Sequence, residues 1–258
     1  MIWRLILVLV LAGLLLGACR GDDDPKPTAT SGPPGSSSIS DPTTSATLAP
    51  GEVTAGQIAD RIGAAWAGVA SYRAVTRILP AIGTPMATPA VELAASAERH
   101  VILPDRKRFL ITDQGATTEI VLADGELWKR SIPPGGEPGA WETVNPAEVA
   151  PADPFARTYQ TILAPEAPPY SALSDRQRDR IGTGQGSLNI AGQECAAYLF
   201  PEVSETGERI EVFVYLGPDD LPCRIETRAG LTISQTDYAF NQESEIATPV
   251  AVASPTAP

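Results

Sequence analysis

Three cysteines, one histidine, a glycine-rich pentapeptide and two runs of carboxylates are the residues of this chain whose types and spacing could do chemistry. Cys19 closes an apolar run near the amino terminus, while Cys195 and Cys223 sit far along the chain. His100 is the only histidine, so no histidine cluster can hold a metal, and its surroundings read as a strand in which it is solvated or structural. Gly182-Thr-Gly-Gln-Gly186 has the composition of a phosphate-cradling loop. It lacks the strand before and the helix after that such a loop needs, so it reads as a loop or strand entry. Asp219-Asp220 falls in a turn and Asp22 to Asp24 in a polar stretch; neither has an apolar pocket to raise a carboxyl pKa for acid–base work. No Gly-x-Ser-x-Gly elbow, His-Glu-x-x-His helix or phosphate loop occurs. The residues therefore predict no catalytic group, no metal site, no cofactor and no enzymatic activity.

Cys19 has a more specific context. Arg4 is followed by an apolar run from Leu5 to Leu16 that ends in Gly17 and Ala18. A settled transmembrane helix needs about 20 apolar residues, so this run has the length of a signal-peptide core instead. Leu16-Gly17-Ala18-Cys19 resembles the lipobox of bacterial lipoproteins. The resemblance implies a signal peptide over residues 1–18, cleavage before Cys19, a diacylglycerol thioether on Cys19, and acylation of the new amino terminus. Two or three acyl chains suffice for stable anchoring, since each buried methylene contributes about 0.8 kcal/mol. The other readings are a secretory signal with a chance cysteine, or an uncleaved anchor. Residues 19–50 turn abruptly to Pro, Ser, Thr, Gly and Asp, a composition that cannot offset its own ordering entropy and reads as a disordered tether. Residues 248–258 read as a similar tail, which leaves 51–247 as one domain.

With 19 Lys and Arg against 31 Asp and Glu, the chain is acidic, at a formal net charge of -12. It has no basic run beyond the leader, which argues against nucleic acid as a partner and against electrostatic docking on anionic lipid. The expected location is the extracytoplasmic face of a bacterial membrane, with an outer membrane left open. Cys195 and Cys223 are the cysteines left in an exported domain, so they are expected to form a disulfide; two separate buried thiols is the alternative.

The elements that must position these residues begin with a helix. Thr54 and Gln57 have capping-box spacing, and Ile58, Ile62, Ala65, Trp66 and Val69 follow at helical intervals. Strands then run over Ser71 to Leu79, Glu92 to Leu103, Arg106 to Thr112, Thr117 to Ala123 and Glu126 to Ile132, with Asp124-Gly125 as a tight hairpin turn. A short strand is expected at Trp141 to Val144. Residues 145–180 are proline-rich and predict loops and short helices, with Tyr159 to Leu163 as a packing turn. Strands resume at Gln185 to Ile190, Glu194 to Phe200, Arg209 to Leu216, Leu221 to Arg228 and Leu231 to Phe240. Hairpin order of this kind predicts an α+β fold dominated by one meandering antiparallel sheet.

Alternation predicts the faces. Val212 and Val214, with Ile210 and Leu216, share an apolar side, and Val101 with Leu103, Phe109 with Ile111, Ile120 with Leu122, Ile225, and Leu231 with Ile233 supply it on other strands. His100 is expected on the opposite face. Trp66 is expected in the core, while Trp128 and Trp141 are assigned equally to core or to a ligand surface.

From about Ala55 to Pro249 the order of elements is similar to LolA/LppX-type lipoprotein carriers. The residues that carry the likeness are Val121 to Trp128 (VLADGELW), Trp141, Asp153-Pro154, Tyr215 to Arg224 (YLGPDDLPCR) and Asp237 to Asn241 with Ile246 to Pro249. The resemblance implies a curved, half-open, barrel-like antiparallel sheet with an N-terminal helix and short plug helices on its concave face. It implies a cavity there for lipid, glycolipid or lipoprotein acyl chains, which Val101, Leu103, Phe109, Ile111, Ile120, Leu122, Trp128, Val212, Val214, Ile225 and Ile233 would line. The expected function is a membrane-anchored binder or carrier of a hydrophobic ligand. The alternative is an envelope sensor or scaffold of the same fold that binds a protein partner.

Overall fold

The computed structural model describes residues 51–80, 95–204, 206–242 and 245–250. The expected signal peptide and tether, with Cys19, lie outside the described residues, as do Glu92 to Ala94 and residues 251–258.

Three two-residue turns join five of the twelve strands. Gln114-Gly115, Asp124-Gly125 and Ala191-Gly192 all have positive φ at both positions, the mirror-image turn whose twist matches that of paired strands. They join β4 (Arg106–Asp113) to β5 (Ala116–Ala123), β5 to β6 (Glu126–Ile132), and β8 (Ile181–Ile190) to β9 (Gln193–Val203). Only the Asp-Gly pair was expected as a turn of this kind. The remaining strands are β1 (Glu52–Thr54), β2 (Ser71–Pro80), β3 (Ala95–Ile102), β7 (Glu142–Thr143), β10 (Arg209–Leu216), β11 (Pro222–Ala229) and β12 (Thr232–Phe240). The helices are α1 (Ala55–Trp66), α2 (Ala156–Leu163) and α3 (Asp175–Arg178).

All twelve strands form one sheet in the order β1-β8-β9-β10-β11-β12-β2-β3-β4-β5-β6-β7, with every pair antiparallel. Two meanders, β2 to β6 and β8 to β12, are fused where β12 pairs with β2 from Thr232 opposite Pro80 to Phe240 opposite Tyr72. Among the described residues β1 and β7 form no pair with each other, so the sheet is open. The fold is the expected mainly antiparallel α+β architecture, a curved open sheet with few helices.

Of the loop and strand-entry readings of the Gly182–Gly186 segment, the strand entry holds: its glycines lie at the start of β8. A side chain at Gly182 would meet the Phe200 ring at 2.3 Å, so glycine there lets β8 close onto a core aromatic. Cys195 and Cys223 are joined in a disulfide. It ties β9 to β11 past the end of β10, where the register shifts at Leu216, and packs with Ile190, Ala197 and Tyr215.

One face of the sheet, here the inner face, carries the helices. α1 is capped as expected: Gln57 N donates to the Thr54 hydroxyl at 3.1 Å and Thr54 N to the Gln57 side chain at 2.9 Å. Its buried Ile58 and Ile62 enter a cluster with Phe200, Val214, Leu216 and Ile225. Each such side chain contributes about 1.5–3 kcal/mol on burial.

Two assignments are corrected by the register. Trp128 stands opposite Val121, whereas its neighbour Leu127 stands opposite Leu122. Trp128 therefore lies on the outer face, packed with Val121, Ala123, Ile246 and Trp141. Ile233 stands opposite Arg228 and Leu79 and also faces outward. The inner positions of β12 are the alternate set, Ser234, Thr236, Tyr238 and Phe240. Packing of Tyr238 and Phe240 against α1 and β2 fixes which parity turns inward, because a one-residue slip would move the whole set to the other side. Leu231, expected to share Ile233's face, is a 69% exposed turn residue.

Candidate functional site

The inner face is the part of the molecule where groups converge, and three separate pieces of chain cover it. α1 covers the β9–β12 half. Its C-terminal residues Ala65 and Trp66, with Val69 beyond, pack over Tyr72, Val101, Leu103 and Phe240. Trp66 lies 5.4 Å from the Tyr72 ring and 6.2 Å from Phe240, the core role expected of it. α2 covers the other half, where Tyr159 and Ile162 are buried on Phe109, Ile111, Ile120, Leu122 and Leu127. Burial pushes the Tyr159 phenol up to about 12, with Asp153 and Glu142 adding to the shift. A strap, residues 164–174, crosses between them and packs Tyr170 and Leu173 into the α1 cluster beside Val212, Val214 and Ile225. Nine of the eleven predicted lining residues thus face inward, split between two sides, and Trp128 and Ile233 do not.

Between the two apolar sides lies a charged seam that sequence reading missed. A cross-strand row runs Phe240, Tyr72, Val101, Lys107, Leu122, Leu127, which places a lysine among apolar neighbours. The Lys107 side chain is 2% exposed, as is that of Glu166 on the strap, and their charged ends are 2.9 Å apart. Lys107 also donates to the Ala164 carbonyl. Arg99, one row away and 25% exposed, pairs with the same carboxylate, and the Tyr72 hydroxyl donates to it at 2.5 Å. The Arg99 guanidinium lies 5.1 Å from the Phe109 ring centroid and 5.5 Å from that of Tyr72, so it touches both apolar sides at once.

Titration behaviour follows from this packing. Burial alone would raise Glu166, but Arg99, Tyr72 and Lys107 together hold its carboxyl below the usual range. Burial pushes the Tyr72 phenol far up, opposed by Arg99, and raises Tyr238 to about 12, again opposed by Arg99. Burial would lower Arg99, but Tyr72 and Glu166 outweigh it and the guanidinium ends above its ordinary value.

The signal for half of this seam was present in the sequence. Arg99 shares the parity of Val101 and Leu103, and Lys107 that of Phe109 and Ile111, so two cations occupy inward positions. Nothing in a proline-rich loop marks Glu166 as their partner. His100 lies on the outer face, paired with Glu98, as expected. Arg73 and His100 hold that carboxyl below its ordinary value against the effect of burial. Among the described residues no group of three His, Cys, Asp or Glu is arranged to hold a metal, and no helix is long and apolar enough to cross a membrane. A cleft of about 350 Å³ opens beside α2, lined by Leu127, Val144, Pro146, Leu163 and their neighbours.

These features define a class: an open antiparallel sheet whose inner face is covered by helices and loop. No protein-family model matches the chain, and no curated protein is significantly similar to it. Among solved structures the fold is similar to the lipoprotein LppX of Mycobacterium tuberculosis, at 10% identity and TM-score 0.43, over 75% of this chain and 98% of that one. It is similar to LprF of Mycobacterium bovis at 14% identity and TM-score 0.44, over 76% and 97%. It is also similar to a LolA superfamily protein of Nitrosomonas europaea at 12% identity and TM-score 0.27, over 75% and 96%. The resemblance read from the sequence meets the same proteins here.

Proposed function

We propose that this chain is a lipoprotein, anchored through Cys19 on the extracytoplasmic side of a bacterial membrane, that binds or carries a hydrophobic ligand between the inner face of its sheet and the helices above. The observation that carries the reading is the construction of the cover. A second sheet would seal the inner face as one layer, whereas α1, α2 and the strap are three pieces with seams between them. Apolar chains of a ligand could replace helix contacts one side at a time, first against Phe109, Ile120 and Leu122, then against Val101, Val214 and Ile225. The residue-to-ligand energetics are of the same kind as the burial that holds the covers now.

The test is native mass spectrometry of the chain from residue 20 onward, which carries every strand and helix described, purified without detergent from a bacterial host. A co-purifying or loadable lipid adduct is expected. A protein that emerges lipid-free and takes up no lipid from mixed extracts sinks the reading. The anchor is tested separately: Cys19→Ser in the full chain should move the protein from the membrane fraction to the soluble extracytoplasmic fraction.

A further inference from the structure

The buried seam holds two cations and one carboxylate. Arg99 and Lys107 come from adjacent strands of the sheet, and their shared counter-ion Glu166 comes from the strap. The Arg99 Nε is buried with no hydrogen-bond partner, so the cationic pair has donor capacity that Glu166 does not use. The strap itself is held at a cost. Tyr170 sits at φ 63, a left-handed conformation unfavourable for a bulky residue, and its buried hydroxyl also lacks a partner. The cations stand between the apolar cluster under α2 and the one under the end of α1, with Arg99 against a ring of each.

From this we infer that Glu166 is an internal stand-in for the acidic headgroup of an anionic amphiphile, which enters by displacing the strap and seating its charge on Arg99 and Lys107. The inference rests on the proposed hydrophobic-ligand reading and narrows it to a ligand class. A carboxylate or phosphate headgroup supplies acceptors to both cations, including the idle Nε, in a largely buried site. The attached acyl chain then lies along one of the flanking apolar sides. A neutral lipid would have to lift Glu166 away and leave both cations without a counter-ion, a cost that selects against it.

Calorimetric titration of the chain from residue 20 onward distinguishes these cases, using oleate, its neutral counterpart monoolein below its aggregation limit, and acetate. Oleate is expected to bind at least about tenfold more tightly than monoolein, with acetate showing no saturable binding. Glu166→Gln should raise oleate affinity, and Arg99→Gln should abolish the preference for oleate over monoolein while Arg99→Lys retains most of it. Because Glu166→Gln loses folded-state contacts, its melting temperature is measured in parallel, and oleate should raise it more than it raises that of the unsubstituted chain. Equal binding of oleate and monoolein overturns the inference and leaves the hydrophobic-ligand reading standing. Acetate binding as tight as oleate overturns it in favour of a simple anion site. Binding of neither lipid overturns the reading beneath it.

Discussion

Removing Glu166 and removing Lys107 should destabilise the fold by different amounts, and the difference is readable from who is left behind. In Glu166→Gln the Lys107 ammonium, 2% exposed, loses its counter-charge and keeps only neutral acceptors such as the Ala164 carbonyl. Breaking a buried pair in this way costs about 3–5 kcal/mol, because an uncompensated charge stays in the interior. In Lys107→Met the carboxylate retains Arg99 and the Tyr72 hydroxyl, and the methionine fills the vacated apolar space. The loss is then that of a charge-assisted hydrogen bond, about 1.5–3 kcal/mol. The double variant no longer contains the stranded ammonium, so it should be no less stable than Glu166→Gln alone, a coupling of at least about 1.5 kcal/mol, the smaller single loss. Urea unfolding followed by fluorescence measures all four corners of the cycle, with the midpoint shifting at unchanged slope. Additivity within about 0.5 kcal/mol would refute the reasoning, and so would a Lys107→Met loss equal to that of Glu166→Gln.

Three further outcomes are expected. Opening the Cys195–Cys223 bridge, whose partners are 28 residues apart in sequence, should cost about 3–4 kcal/mol from the entropy regained by the unfolded chain; a Cys195→Ala/Cys223→Ala variant that keeps the urea midpoint of the oxidised protein would contradict this. Glu166 titrates below its unfolded value of about 4.3, so its contribution is full above that pH and is lost as pH falls through the lower folded value. Tyr72, raised in the fold, contributes fully below about pH 10 and loses its contribution above it; a stability profile against pH with no decline at either end would be inconsistent with both. If a ligand binds the inner face, Trp66→Phe should remove the accompanying change in tryptophan emission, while Trp128→Phe and Trp141→Phe leave it intact because those rings pack on the outer face.

Local physics made most of the fold legible. Strand periodicity, the Asp124-Gly125 turn and the Thr54–Gln57 capping box are each decided within a few residues, and each appears in the structure. Gly182 to Gly186 was ambiguous because glycine composition alone does not say whether the backbone or a neighbouring ring needs the space; Phe200 of β9 decides it. Parity on β12 could not be read from Leu231 and Ile233, since Tyr238 and Phe240 compete with them for the inner face and bury larger rings there. Trp128 misleads in a similar way. An aromatic residue near a presumed cavity suggests ligand contact, but the outer face has its own apolar cluster, built when the segment after β12 brings Ile246 back beneath Trp128 and Trp141. Thr248, expected to begin a free tail, bonds to Asp124 at 2.5 Å as part of that same return.

If the inner face binds a ligand as proposed, the charged seam bears on which ligand it admits. Apolar covers over an apolar face would close wherever the fit was best, and a ligand would then have to compete with the full contact area of both helices. Here the two helices bury separate clusters, and the chain between them is fixed at Glu166 by groups that lose water to make the contact. Charges in such a place contribute little net stability, yet they are costly to misplace. The seam therefore fixes where the strap sits more strongly than it fixes how hard the strap is to lift. A replacement that meets Arg99 and Lys107 with its own acidic group would not incur the penalty of stranding them, and this is what makes headgroup charge, more than chain length, the property on which ligand choice at this face should turn.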